Sequence, residues 1–267
     1  MWGAIIGDIV GSRFEIKRIK TTEFQLFTED STFTDDTVLT VAIASAILSG
    51  GNYTSDIMGY AAKHFQAGFS SGFLRWVNEN YDRPVGHNIK PYGSYGNGAA
   101  MRISPVGWAF DLLEKTLCEA EKAAACSHDH PEGIKGAKAV AHSVYLARKG
   151  RGKDYIKNRI SKDYDYNLDQ SLDEIRPTYE FDATCQGSVP QSIISFLESD
   201  CFESAIRNAI SLGGDSDTMA CMAGAIAEAH YGTPKLMIAE AKKRLPTDFI
   251  QVVDSFNVLM AKSAIFK

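Results

Sequence analysis

Hydrophobic residues recur along most of this chain at the i, i+3, i+4 spacing of an amphipathic helix. Near its C-terminal end, for example, Ile250, Val253 and Phe256 would lie on one helical face. Glycine or proline stands beside the ends of several such segments, as expected of residues that terminate helices. The pattern predicts helices at residues 37–48, 54–67, 98–108, 116–125, 133–147, 186–198, 201–211, 217–231, 234–244 and 247–262.

Strands are poorly supported by comparison. Residues 21–27 are the one candidate for a short extended piece, and residues 149–184, rich in Asp, Tyr and Asn, have the weakest helical pattern. No low-complexity linker divides the chain. The sequence therefore predicts an all-α protein, with a single compact multi-helix domain over residues 1–267.

Composition and charge narrow the class of protein. The chain is 45% hydrophobic and 23% charged, as in ordinary globular proteins, and its net charge is −5. Without a long basic stripe, we do not expect nucleic acid as a partner. Five cysteines without CxxC spacing predict reduced thiols in a cytoplasmic protein.

Two further expectations concern membranes and assembly. Asp8 interrupts the apolar N-terminal run, which also lacks a basic start, so we expect no signal peptide. No stretch approaches the roughly 18–20 uninterrupted apolar residues of a membrane span. We expect a monomer that does not interact with membranes.

Two acidic clusters of similar design are the main candidates for chemistry. Residues 34–37 read Thr-Asp-Asp-Thr and residues 213–218 read Gly-Gly-Asp-Ser-Asp-Thr, each directly before an Ala-rich predicted helix. One carboxylate at a helix start is an ordinary cap, but two with flanking hydroxyls exceed what capping requires. Four carboxylates brought together would repel unless a cation lay between them, and an oxygen-only set suits Mg²⁺, Mn²⁺ or Ca²⁺. Independent capping of two separate helices is the alternative.

Three other segments are polar enough to contact a ligand. Residues 91–102 hold three closely spaced glycines before a predicted helix, which suits either an anion site or a structural turn. Residues 127–133 carry two histidines at i, i+2, a spacing that favours a ligand-contacting loop over a zinc site. Near the N-terminus, Asp8 and Glu15 would share a helical face; judged locally, Asp8 is buried and hydrogen-bonded and Glu15 is solvated.

The ordered combination of these motifs resembles the ADP-ribosylglycohydrolase family. The matching strings are GDxxGSxxE, TDDT, GSYGNGAAMR, SHxHPEGxKGA, CQGSVP and GGDSDT, and the segments that contain them span residues 3–232. The resemblance implies a compact all-α domain with a binuclear centre of two Mg²⁺ or Mn²⁺ ions. It also implies hydrolysis of the glycosidic bond between ADP-ribose and an acceptor.

The resemblance also implies roles for individual residues. Glu15 matches a mobile glutamate and is the candidate general acid or base, with Asp35 and Asp36 beside it in catalysis; His128 matches a histidine that contacts the distal ribose. The implied metal ligands are Thr34, Asp35, Asp36, Asp215, Asp217 and Thr218. The implied cradle for the diphosphate is Gly93, Ser94, Tyr95, Gly96 and Asn97.

The expected substrate is an ADP-ribosylated protein or a small ADP-ribosyl molecule. The alternatives are a free ADP-ribosyl metabolite or a nucleic-acid adduct as substrate, or a non-catalytic protein that binds ADP-ribose. All six expected ligand positions are filled, which disfavours the non-catalytic alternative. Loops at residues 68–90 and 165–185 are expected to select the acceptor.

Overall fold

The computed structural model describes residues 1–81 and 89–265. Among these residues, α-helices are the only long regular elements of secondary structure. One short 3₁₀ turn, Ser12–Phe14, follows the first helix. A single isolated bridge pairs Gly96 with Thr184. The helices are α1 Trp2–Gly11, α2 Asp35–Ser49, α3 Tyr53–Lys63, α4 Ser71–Asn80, α5 Gly98–Met101, α6 Ser104–Ala109, α7 Leu113–Ala125, α8 Pro131–Arg148, α9 Lys153–Tyr164, α10 Leu172–Ile175, α11 Cys185–Leu197, α12 Phe202–Ser211, α13 Ser216–Tyr231, α14 Lys235–Lys242 and α15 Thr247–Ile265.

Helices α1 and α13 lie directly against each other at the centre of the domain. Gly3, Gly7 and Gly11 recur every four residues on one face of α1. A methyl group on Gly3 or Gly7 would overlap the carbonyl oxygens of Gly224 and Ala220, and one on Gly11 would come within 2.5 Å of the α13 backbone. These three positions must therefore be glycine for the two helices to approach this closely.

Carboxylates from one helix cap the start of another. Glu228, on α13, accepts hydrogen bonds from the backbone N–H groups of Trp2 and Gly3 at 3.0 and 2.8 Å. Asp8, on α1, accepts from the N–H groups of Thr34 and Thr37 at the start of α2, at 3.0 and 3.1 Å. These bonds satisfy N–H groups that a helix cannot pair internally, and they fix α13, α1 and α2 relative to one another.

The all-α prediction is confirmed, with differences in detail. Most predicted helices begin and end within a few residues of the observed ones. The predicted helix at 98–108 is wrong, because α5 and α6 divide it at Arg102 and Ile103. Pro105 near the start of α6 has no N–H to continue the preceding turn, so a new helix begins there. No strand is assigned at residues 21–27.

The description of residues 149–184 as the least helical segment is wrong, since it contains α9 and α10. Only Ile156, Ile160 and Tyr164 of α9 are buried. Their i, i+4, i+8 spacing makes a narrow apolar stripe on an otherwise polar helix. Helices α1 and α4 were also not predicted. Within the described ranges, no helix combines the length and apolar character needed to cross a bilayer.

Candidate active site

The two acidic clusters meet where α1, α2 and α13 come together. Asp36, in the first turn of α2, accepts a hydrogen bond on Oδ2 from the Thr218 hydroxyl of α13 at 3.1 Å. One carboxylate oxygen from each of Asp8, Asp36 and Asp217 lies within 4.8 Å of the other two. All three side chains are buried. The fold therefore holds three carboxylates close together inside the protein.

Such a cluster is electrostatically costly without a cation. Burial, reinforced by the neighbouring Asp8 and Asp35 carboxylates, raises the pKa of Asp36 well above its usual range. Burial together with the charge of Asp215 does the same to the pKa of Asp217. Asp36 Oδ1 is buried and has no hydrogen-bond partner among the described residues. A divalent cation would neutralise the cluster and occupy that oxygen, so the residues present fit a Mg²⁺ or Mn²⁺ site.

A cavity of about 280 Å³ opens beside this cluster and brings together most of the residues singled out in the sequence. Its wall joins carboxylates from the two acidic clusters to the glycine-rich loop and the first histidine of the 127–133 segment. The sequence-predicted residues that line it are Glu15, Asp35, Asp36, Ser94, Gly96, Asn97, His128, Asp215, Asp217 and Thr218.

Thr34, Gly93 and Tyr95 are predicted site residues that do not line this cavity. The Thr34 hydroxyl donates to Asp8 Oδ1 at 2.7 Å and also lies 3.4 Å from Asp36 Oδ2. Gly93 has a φ of +72°, in the left-handed region. The Tyr95 ring is exposed, with its centroid 5.3 Å from that of a histidine ring. Thr34 thus contacts the Asp8 and Asp36 carboxylates through its hydroxyl, while Gly93 and Tyr95 belong to the loop without lining this cavity.

The glycine-rich loop is held in place from both sides. The Asn97 backbone N–H donates to the Ala183 carbonyl at 2.8 Å, and the N–H of Cys185 donates to the Tyr95 carbonyl at 3.0 Å. The Asn97 side-chain amide donates to Asp215 Oδ2 at 2.8 Å. The side chain predicted to contact the diphosphate therefore also fixes the orientation of one carboxylate in the acidic cluster.

A buried hydrogen-bond chain links Arg102 to His128 through Ser127. Arg102 Nη2 donates to the Ser127 hydroxyl oxygen at 2.9 Å, and that oxygen lies 2.8 Å from His128 Nδ1. Burial, and then the charge of Arg102, lowers the pKa of His128 well below its usual value. His128 is therefore neutral at physiological pH, with Nε2 on the side of Gly98.

Glu15 occupies the turn after Ser12–Phe14 and is half-buried. Burial, followed by the charges of Asp215 and Asp8, raises the pKa of its carboxyl group, while Arg18 opposes the shift. Glu15 lines the cavity just described and also a second, larger cavity of about 620 Å³. The local expectation of a solvated Glu15 therefore holds only in part.

Asp8 is the residue whose position sequence reasoning underestimated. It was expected to be buried and hydrogen-bonded, and it is, with both Thr34 and Thr37 as donors. It also completes the carboxylate triad with Asp36 and Asp217. The four-residue spacing of the α1 glycines was the available signal, because it indicates a helix pressed against a partner and hence Asp8 facing another element.

These features define a class of protein: an all-α domain with a buried oxygen-donor site beside a glycine-rich loop. The ADP-ribosylglycohydrolase family model matches residues 1–262, and the chain belongs to that family. The resemblance seen in the sequence motifs is thereby confirmed, and the chain is a glycosidic-bond hydrolase of this family.

Individual relatives match over most of their length. The chain is 27% identical to ADP-ribosylhydrolase ARH3 from Homo sapiens, over 86% of this chain and 84% of the relative. It is 24% identical to ADP-ribosyl-[dinitrogen reductase] glycohydrolase from Rhodospirillum rubrum, over 96% and 94%. A solved structure described as an ADP-ribosylglycohydrolase-related protein complex has a TM-score of 0.69 at 21% identity, over 97% of this chain and 92% of that one. This structural likeness shows a shared fold.

Proposed function

We propose that this protein hydrolyses the bond between C1 of the distal ribose of ADP-ribose and a protein side chain, releasing ADP-ribose with the help of two Mg²⁺ or Mn²⁺ ions. The observation that supports this most directly is the shared cavity. In it, carboxylates at the starts of α2 and α13 face the glycine-rich loop and His128 in a chain of this family.

The proposed metal ligands come from both acidic clusters: Thr34, Asp35, Asp36, Asp215, Asp217 and Thr218. Bound there, the cations would align the ribose hydroxyls and acidify a water molecule. The Thr218 hydroxyl donates a hydrogen bond to Asp36 Oδ2, so Asp36 Oδ1 is the oxygen of this carboxylate that would bind a cation. Asp8, fully engaged with Thr34 and Thr37, would hold the ligands of α2 in position.

The nucleotide part of the substrate would lie toward the glycine-rich loop. Gly93, Ser94, Tyr95, Gly96 and Asn97 would cradle the diphosphate, where the absence of glycine side chains allows close approach. His128 would contact a hydroxyl of the distal ribose through Nε2. A neutral histidine suits this role, since it can hydrogen-bond to the hydroxyl without adding charge.

The carboxylates would assist bond cleavage directly. Departure of the acceptor builds positive charge on the ribose ring, and Asp35, Asp36 and Asp215 would stabilise it. Glu15 would act as general acid or base, because it is the carboxylate least committed to the metal ligands. Its raised pKa keeps a larger protonated fraction near neutral pH than an ordinary glutamate has.

The test is ADP-ribose release measured by mass spectrometry. Purified protein is incubated with arginine-, serine- and acidic-linked ADP-ribosyl peptides and with O-acetyl-ADP-ribose, each in Mg²⁺, Mn²⁺ or EDTA. We expect release from one peptide linkage that depends on the added metal. Release from O-acetyl-ADP-ribose alone would contradict the protein acceptor, and release in EDTA would contradict the metal requirement. No release from any substrate would overturn the proposed function.

A further inference from the structure

A second cavity, of about 620 Å³, adjoins the site and has no role in the function proposed so far. Its walls come from two stretches of chain, one around the 3₁₀ turn and the start of α2, the other at the end of α3. Glu15 and Gly68 line both cavities. The two cavities therefore adjoin each other at these two residues.

The position of this junction relates the second cavity to the leaving acceptor. Asn97 and His128, the residues proposed to hold the nucleotide side, line only the smaller cavity. Asp35 Oδ1 lies 3.7 Å from where a Cβ of Gly68 would be, so the metal-side carboxylates reach the junction. With C1 of the ribose beside Asp35 and Glu15, the acceptor would extend into the larger cavity.

Each cavity has an exposed apolar side chain in its wall, and a third follows the shared residue Glu15 in the chain. Phe65 lines the larger cavity and is 60% exposed. Ile16, next to Glu15 in the chain, is 88% exposed, and Phe181, on the wall of the smaller cavity, is 40% exposed. Large apolar side chains grouped at a site entrance are typical of contact with a macromolecule. A small acceptor would leave most of them in water.

The charges in the larger cavity favour a polypeptide over a nucleic acid. Glu15 and Asp30 face it from one stretch and Lys63 from the other. Burial lowers the pKa of His64, which is therefore neutral at physiological pH. Arg13 offsets part of the Asp30 charge, so these residues offer no excess of cations to a phosphate backbone. The Asp30 and Glu15 carboxyl groups can instead accept hydrogen bonds from a basic side chain on a polypeptide.

We infer, on the basis of the function proposed above, that this larger cavity binds the polypeptide segment flanking the ADP-ribosylated side chain. Phe65 contacts an apolar side chain of that segment, and Asp30 pairs with a basic one. The enzyme therefore reads the protein around the modification as well as ADP-ribose itself.

The experiment compares two substrates that differ only beyond the modified residue. One is an ADP-ribosylated peptide with apolar and basic residues beside the modification, and the other is the same ADP-ribosylated amino acid as its N-acetyl amide. For the wild type we expect kcat/KM to be at least tenfold higher for the peptide. Phe65→Ala and Asp30→Asn should each lower the peptide-to-amide ratio at least fivefold.

The matched control is Tyr155→Ala, which removes another exposed aromatic side chain, 47% exposed on α9, that lines neither cavity. Its peptide-to-amide ratio should equal that of the wild type. Equal kcat/KM for peptide and amide in the wild type would overturn the acceptor cavity and leave the hydrolase function intact. So would equal losses on both substrates in Phe65→Ala. If neither substrate is cleaved, the hydrolase function fails and this inference with it.

Discussion

The two oxygens of the Asp36 carboxylate have different surroundings. Oδ2 accepts a hydrogen bond from Thr218, whereas Oδ1 has no donor among the described residues. Without a cation, the buried charge destabilises the fold; with one, the same oxygen becomes a ligand. A single substitution should therefore have opposite effects on the metal-free and the metal-loaded protein.

Replacing Asp36 by Asn removes the charge while keeping the shape of the side chain. We expect Asp36→Asn to raise the melting temperature of the protein in EDTA, because it relieves repulsion with Asp8 and Asp217. It should also abolish the rise in melting temperature that we expect Mg²⁺ to cause in the wild type. Differential scanning calorimetry with and without Mg²⁺ measures both effects. Asp154→Asn, at an exposed position on α9, is the control and should change neither.

Glu15 tests the chemistry separately from binding. Glu15→Gln keeps the size of the side chain but can neither donate nor accept the catalytic proton, so kcat should fall by about 10²–10⁴-fold. Affinity for ADP-ribose, measured by titration calorimetry, should be largely retained, since Glu15 is not among the proposed metal ligands. A variant that keeps more than a third of the wild-type kcat would rule out this assignment.

The contact between α1 and α13 has the strictest steric requirement of the helix contacts that position the site. A methyl group on Gly7 would overlap the Ala220 carbonyl oxygen. Gly7 and Ala220 are both fully buried, so neither backbone has room to move. Gly59, inside α3, has no atom within 4 Å of the corresponding position. The two glycines therefore form a matched pair for the same substitution.

We expect Gly7→Ala to lower the free energy of unfolding by about 3 kcal/mol or more, since overpacking a rigid contact forces the helices apart. Gly59→Ala should instead raise it by about 0.5–1 kcal/mol, because alanine is the better helix former. Urea unfolding followed by circular dichroism gives both values. If Gly7→Ala were as stable as the wild type, the close contact between α1 and α13 would be wrong.

Helices with a broad apolar face on one side could be predicted from the sequence. Helices with a narrow apolar stripe, or with apolar residues on every side, could not. Helix α9 buries only three residues, so its polar composition concealed it. Helix α1 is buried on every side, and because all its residues except Asp8 are apolar or glycine, its hydrophobic pattern has no helical period to detect. A periodic hydrophobic pattern appears only when a helix has one buried face and one exposed face. Helix α1 is wholly buried and helix α9 largely exposed, so neither shows it clearly.

The site was predictable to the extent that its residues are neighbours in sequence. Asp35 and Asp36 stand together at the start of α2, so their common place at one site could be predicted directly from the sequence. The contribution of Asp8 depends on the contact between α1 and α13, whose residues are more than 200 positions away. The position of Glu15 at the junction of two cavities depends on the path of the loop after α1. The glycine spacing of α1 indicates only that Asp8 faces another element, and the sequence contains no local signal for the position of Glu15.

At the scale of the whole molecule, the acidic cluster links stability to pH. Burial and neighbouring charges raise the pKa values of Asp35, Asp36 and Asp217 in the folded state. The metal-free folded protein therefore binds more protons at these groups than the unfolded chain does. Their contribution to the free energy of unfolding is fully present at pH values below the ordinary pKa of Asp, about 4. It declines as the pH rises above that value.

Metal binding should reverse this decline, because a cation binds the deprotonated carboxylates. We expect Mg²⁺ or Mn²⁺ to raise the melting temperature more at pH 8 than at pH 5. Thermal unfolding across this pH range, in saturating Mg²⁺ and in EDTA, provides the comparison. A rise that is the same at every pH would show that these carboxylates are not the groups the metal binds.

The glycine face of α1 also affects how the protein is made. Its partner helix α13 begins at Ser216, so roughly 210 residues must be synthesised after Gly7 before that surface can be covered, about 10–40 s at usual rates of translation. During that time a helix without a polar face is exposed to the ribosome and to chaperones. The centre of the catalytic site is thus completed late in synthesis, and a nascent chain that stops before α13 has no carboxylate cluster to bind metal.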